Sequence, residues 1–297
     1  MIELVIDARR RELGGFEVGR VLPFHAHRMV GPFVFFDHMG PIDFAPGIPR
    51  TVDVRPPPHI GLSTVTYLFD GEITHRDSVG SQIAITPGEM NWMTAGRGIT
   101  HSERFDRLRQ TGGPMHGIQA WVGLPQADEE TDPAFAHHGP TDLPTYEDGG
   151  LWARLIAGEA FGAKANVRTH SPMFYVHWRL QAGAKAQLGA EYPERAAFVV
   201  SGEVEVDGQA FHAGQMLVFA PGQPVLFTAT SDAVVMLLGG EPIGPRFIEW
   251  NFVSSSKDRL EQAKADWRAG RMKLPDLDHD EFIPLPPDPP PPTASPL

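Results

Sequence analysis

Hydrophobic residues along this chain gather in short runs separated by glycine, proline or aspartate, a rhythm that predicts β-strands bounded by turns. Residues 2–6 alternate weakly. Glu17–Leu22 follow a turn at Leu13-Gly14-Gly15-Phe16, and Thr64–Phe69 form a β-branched and aromatic run. Later segments at 174–177, 197–200, 204–206, 216–219, 225–228 and 234–238 each predict a further strand. Asp70-Gly71 predicts a hairpin and Pro87-Gly88 a turn. Ser201-Gly202, Asp207-Gly208, Ala213-Gly214 and Pro221-Gly222 separate the later strands. Short strands at this spacing build a barrel or a sandwich. Residues 42–58, with Pro46, Pro49 and the run Pro56-Pro57-Pro58, oppose regular structure and predict a loop. Residues 125–150 lack periodicity and are expected to link two domains.

One stretch has helical spacing. Leu260, Ala263 and Trp267 make an apolar stripe, Ser255 and Asp258 stand at capping-box distance, and Gly270 is a suitable stop. This predicts a helix over 256–269. From 287 to 297 the chain is proline-rich with nothing to bury, so a disordered tail is expected.

Composition narrows the class. At 297 residues there is room for two domains, and 41% hydrophobic with 21% charged residues is a globular profile. The formal charge of -12 repels phosphate backbones, which argues against direct nucleic-acid binding; Arg9-Arg10-Arg11 is too small a cluster to reverse that. With no cysteine, disulfides, zinc-thiolate sites and thiol catalysis are excluded. The N-terminus has no apolar leader, and the longest apolar runs, such as Ala233–Leu238, are strand-length. No membrane association and a cytoplasmic location are therefore expected.

The candidate chemistry lies between Arg55 and Phe105. His101 and Glu103 are two positions apart, so on a strand they project to one face. His59 precedes the Thr64–Phe69 run, and turns between the two pieces could fold it back onto them. Two imidazoles and a carboxylate suit a divalent transition metal with open coordination positions. A His-x-Glu pair on a strand is also an ordinary solvated face. His75 is the nearest spare imidazole, and its simpler reading is a hydrogen bond to Asp77 or the backbone. Gln119 shares a strand parity with Trp121 and could support the site from behind, or simply fill space. Asp37 and His38 read as a buried hydrogen-bonded pair within an aromatic run. Ala95-Gly96-Arg97-Gly98 lacks the Lys-Ser/Thr of a phosphate loop.

The order His-Ile-Gly-Leu (59–62), Thr-Tyr-Leu-Phe-Asp-Gly (66–71), His-Arg-Asp-Ser (75–78) and Asn-Trp-Met-Thr-Ala-Gly-Arg-Gly-Ile (91–99) closing on His-Ser-Glu (101–103) resembles the pirins, a branch of the cupin superfamily. Further likeness at 31–41, 113–122, 250–256 and 282–286 extends it from about Phe16 to Pro286. The resemblance implies an all-β fold of two antiparallel cupin (jelly-roll) β-barrel domains in tandem, with a C-terminal helix. Residues 1–130 would carry the metal site. Residues 131–286 would form a second cupin without ligands, since Tyr192-Pro193-Glu194-Arg195-Ala196 stands where histidines would be needed.

In pirins a His-x-His pair, a later His and a Glu hold one metal, usually iron. Here the pair falls on Pro57 and His59, so the implied ligands are His59, His101 and Glu103, with one position lost to a proline. The sequence's own His-x-His, His25 and His27, comes more than thirty residues too early and is expected to lie outside the site. The resemblance favours Fe(II), with Mn, Ni, Co, Cu or Zn as alternatives. It implies a dioxygenase acting on a flavonol (quercetin-type) or related aromatic enediol with O2, Glu103 accepting the substrate's hydroxyl proton. The competing expectations are a metal-binding regulator of a transcription factor or metabolic enzyme, and a vestigial site on a scaffold.

Overall fold

In the computed structural model, residues 1–13 and 15–287 are described; most of the tail expected to be disordered lies outside them. The strand pattern forms two units, each a large sheet backed by a smaller one, and every paired strand in them is antiparallel. The cupin fold implied by the sequence is the fold observed.

The first unit has a seven-stranded sheet in the order Ala134–His138, Met90–Thr94, Leu62–Asp70, Gly113–Gly123, Phe33–Phe44, Phe16–Leu22 and Arg9–Leu13. Facing it is a four-stranded sheet ordered Pro58–His59, Ile99–Arg104, Ile73–Asp77 and Gln82–Ile85. The second unit repeats this plan. A large sheet centres on Glu194–Ser201, Ala233–Gly240 and Met173–Leu180, and a small one on Val225–Ala229 and Glu203–Val206.

The two large sheets press their outer faces together. Phe36 meets Phe198 at 5.1 Å between ring centroids and Phe33 meets Tyr175 at 5.5 Å, so the largest apolar cluster runs continuously through both units. Side-chain alternation then decides function. On Phe33–Phe44, Phe36 and His38 face the other unit, whereas Phe35, Asp37 and Met39 line a cavity inside the first.

Both ends of the chain cross between units. Ile2–Asp7 pairs with Gln215–Phe219 in the second unit's large sheet. The helix Lys257–Arg268 returns to the first unit, packing Leu260, Ala263 and Trp267 beside Ile60 and Phe252. Burying Leu260 and Trp267 stabilises this docking by roughly 2 kcal/mol each. Beyond it, Asp278 takes two hydrogen bonds from the buried Arg104 guanidinium at 2.7 Å, and the Ile283 amide donates to the Pro56 carbonyl at 3.0 Å.

Several local expectations are corrected. Asp70-Gly71 makes no hairpin: the strands on either side of it belong to different sheets, so the turn is a corner. Residues 42–58 are not all loop, because one strand runs to Phe44 and Arg50–Val52 form a 3-10 turn. The region 125–150 holds two strands, Ala134–His138 on the first sheet and Thr145–Asp148 on the second, so within this region the crossing is made by the residues between them. Edge strands with one exposed face carry weak hydrophobic patterning, which hid them. The helix is capped by Ser256, which accepts from the Arg259 amide, while Ser255 donates to Glu129.

Candidate metal centre

The site grows from a short antiparallel ladder. His59 pairs with Ile99 and Pro58 with Thr100, which brings the polyproline approach directly alongside Ile99–Arg104 without help from a hairpin. On the other flank of that strand, His101 lies opposite Asp77 and Glu103 opposite His75. Directly opposed residues in an antiparallel pair share a face, so His75, Asp77, His101 and Glu103 form one block of side chains. All four are buried, as is His59.

Within this block, the Nε2 atoms of His59 and His101 are 3.1 Å apart. Two nitrogens bound to one ion at about 2.1 Å and at right angles would stand about 3 Å apart, so the spacing fits adjacent ligands. His59 Nδ1 donates to the Asn251 carbonyl at 3.1 Å, which leaves a lone pair on Nε2. His101 Nδ1 is buried and has no hydrogen-bond partner. Donor atoms of His75, His101 and Glu103 all lie within 4.8 Å of one another, a set that does not include His59. His75 Nε2 lies 3.0 Å from Asp77 Oδ2, the hydrogen bond expected for it, and its ring stacks on Phe135. Gln119 accepts from the Thr66 hydroxyl at 2.7 Å, and its amide reaches Glu103 Oε1 at 3.5 Å.

Burial sets the charge states. It lowers His59 to about 4, opposed by its bond to Asn251, and drives His101 well below the usual imidazole range. Both rings are therefore neutral at pH 7, as a metal ligand must be. Burial pushes Glu103 upward, against the pull of His75, Thr66 and Gln119. Two imidazole nitrogens facing each other at 3.1 Å, an orphaned imidazole nitrogen and a buried carboxylate with only long, weak donors form a donor set suited to a divalent cation.

His59, His101, Glu103 and Gln119 border a partly open cavity of about 520 Å³. Its walls are aromatic, with Phe35 stacked on Trp121 at 4.1 Å and Phe16 and Phe105 nearby. At one side Arg20 donates to both oxygens of buried Asp37 at 2.8 Å, its guanidinium resting over Phe35. Burial raises the Asp37 carboxyl and the Arg20 bond opposes this. Asp37 therefore pairs with Arg20, not with His38 as expected, because neighbours on a strand face opposite ways. His38 instead meets His116 at 2.8 Å on the face between the units. A wider cleft of about 640 Å³ in the second unit, lined by Glu147, Trp152, Arg179 and Asp232 among others, is more open and outside the metal-donor cluster.

The sequence reading did not place Arg20 and Asp37 at the cavity, although the odd-numbered parity of Asp37 with Phe35 and Met39 was a usable signal. It also missed Trp250 and Asn251, which reach the cavity only because the C-terminal segment folds back. At Gly61, φ is +67°, and a Cβ there would collide with the Val253 carbonyl oxygen, so glycine permits that close approach. His25 is exposed in a tight turn closed by a bridge between Phe24 and His27, and neither histidine borders the cavity.

The family model for pirin matches residues 15–122, and that for the pirin C-terminal cupin domain matches 175–273. This chain is a pirin. It is 71% identical over 287 residues to a pirin-like protein of Caulobacter vibrioides, covering 96% of this chain and 100% of that one. The fold of this pirin superposes on a quercetin 2,3-dioxygenase crystal structure from Acinetobacter baumannii with a TM-score of 0.86, at 33% identity and 96% coverage of both chains. A bacterial pirin from Escherichia coli, solved with nickel(II), shares the fold at a TM-score of 0.61 and 18% identity, covering 82% of this pirin and all of that chain.

Proposed function

We propose that this pirin is a metal-dependent dioxygenase that acts on a flavonol (quercetin-type) or related aromatic enediol. The observation that carries the reading is the juxtaposition of His59, His101 and Glu103 with an aromatic-walled cavity of about 520 Å³. Likeness to the Acinetobacter quercetin 2,3-dioxygenase supports the substrate class. A divalent metal held by those three residues, Fe(II) in first place, would supply the Lewis acidity and redox access needed to join an electron-rich enediol to O2.

The chain's own residues do the rest. Phe35 and Trp121 offer a flat wall for a planar ring. Glu103, made more basic by burial, takes the proton of the reacting hydroxyl on a carboxylate oxygen. Gln119 offers its amide to that carboxylate at 3.5 Å. Arg20 keeps N–H groups beyond those bound to Asp37, and these are available to oxygens at the far end of the substrate.

A second reading is favoured by one feature: Pro57 stands where the family pattern has a ligand. A regulator that binds metal and a transcription factor or metabolic enzyme, without turnover, would tolerate that loss more readily. Oxygen uptake with quercetin separates the two, measured on metal-free protein, Fe(II)-loaded protein and Glu103→Gln. Dioxygenase action requires Fe(II)-dependent uptake that drops about 100-fold or more in Glu103→Gln. Stoichiometric Fe(II) with no uptake would overturn it in favour of the regulator.

A further inference from the structure

We infer that His75 supplies the metal ligand that Pro57 cannot, binding through Nδ1 while Asp77 fixes its ring. The inference rests on the metal site proposed above and specifies what completes it. Position 57 lies opposite His101 on one flank of the strand Ile99–Arg104: the His101 amide approaches the Pro57 carbonyl at 3.4 Å, next to the pairs of Thr100 with Pro58 and Ile99 with His59. A donor side chain there would reach the centre from that flank, and a pyrrolidine ring has no lone pair to give.

The opposite flank offers one. His75 sits directly across from Glu103, and its ring centroid is 5.4 Å from that of His101. The donor atoms of His75, His101 and Glu103 lie within 4.8 Å of one another, the one such group of three among the described residues. His75 is buried and held on two sides. Phe135 stacks on its ring at 4.4 Å with 15° between planes, and Asp77 Oδ2 takes its Nε2 at 3.0 Å. Asp77 is itself anchored by the amides of Val79 and Ser81, at 3.0 and 2.9 Å. A carboxylate on one imidazole nitrogen fixes the tautomer and leaves the lone pair on the other, the usual support for a metal-bound histidine. Had His75 served only to pack, a phenyl ring against Phe135 would do as well, without a buried carboxylate behind it. The loss of one ligand is thus compensated across the strand instead of along the proline segment.

The test is a set of Ni(II) and Co(II) dissociation constants at fixed pH by chelator competition, with the visible spectrum of the Co(II) form as a second readout. His75→Phe keeps the stacking and removes the donor; it should weaken binding by about 100-fold or more and change the Co(II) spectrum. Asp77→Asn should weaken it by about 10–100-fold, the range for a residue that orients a ligand. Pro57→His alone should change little, but added to His75→Phe it should restore most of the lost affinity. If His75→Phe binds like the unaltered chain while His101→Ala abolishes binding, His75 is not a ligand and the inference falls, with the underlying site intact. If His59→Ala and His101→Ala both bind like the unaltered chain, the site itself is wrong.

Discussion

The two barrels of this pirin share a plan and differ in what fills them. In the second, Trp178 sets its indole edge-on to Phe227 at 5.5 Å, and Phe227 meets Phe219 at 5.9 Å, all three almost fully buried. Where histidines were sought there, Arg195 is buried and its guanidinium donates to the carbonyls of Gly189 and Ala220. In the first barrel, the comparable interior holds His59, His101, Glu103 and Asp37 around open space, with buried His75 beside them. Filling a barrel with aromatic rings gains dispersion and apolar burial. Lining one with polar groups around a cavity forfeits much of that. A duplicated fold can thus divide the work, one copy contributing stability and the other chemistry.

The largest effect that could break this division is in the second barrel. Trp178→Ala should cost about 3–5 kcal/mol in denaturant unfolding, the range for removing a buried aromatic. Metal content of the protein that remains folded should not change. A loss below about 1 kcal/mol would show that the second barrel is not the stabilising half.

Next is the seam between the barrels. His38 contacts His116, and His177 Nδ1 meets the Tyr67 hydroxyl at 2.9 Å. Burial lowers His38 to about 4, helped by His116, and lowers His177 to about 3, helped by Arg179 and Arg154. Both titrate near 6.5 once unfolded, so between the two values the unfolded chain binds more protons. Their stabilising contribution is complete above about pH 6.5 and declines as pH falls, down to about 4 for His38 and about 3 for His177. For His38 the total is roughly 3 kcal/mol. Unfolding free energy measured from pH 7.5 to 4 should therefore drop, and His38→Gln should make the slope shallower. An unchanged slope would mean that the seam does not sense protons.

The smallest effect expected is none. Replacing His25 and His27 together by alanine should leave metal content and stability within error, because both stand outside the cavity. Loss of metal from the folded double variant would show that the centre lies elsewhere.

Alternation and turn chemistry were legible without a structure. They predicted six of the strands past residue 150, though not Leu151–Ala160 or Lys185–Leu188, the helix to within a residue at each end, and the projection of His101 and Glu103 to one side. These depend on neighbours two to four residues apart, which the chain displays directly. The motif from Asn91 to Glu103 likewise marked the region that carries the donors. Three things depended on tertiary structure. Which flank of Ile99–Arg104 supplies the donors depends on strand register, since His75 is local to Asp77 in sequence but meets Glu103 only through pairing. That Asp70-Gly71 is a corner and not a hairpin depends on which sheet receives the next strand, a choice made by packing the whole barrel. Asn251 and Trp250 reach the first barrel's cavity from nearly two hundred residues away, because burying the apolar face of Lys257–Arg268 draws the C-terminal segment back over His59. Local sequence encodes backbone preference and facing; it does not encode which distant surface best buries an apolar stripe, and here that burial closes the site.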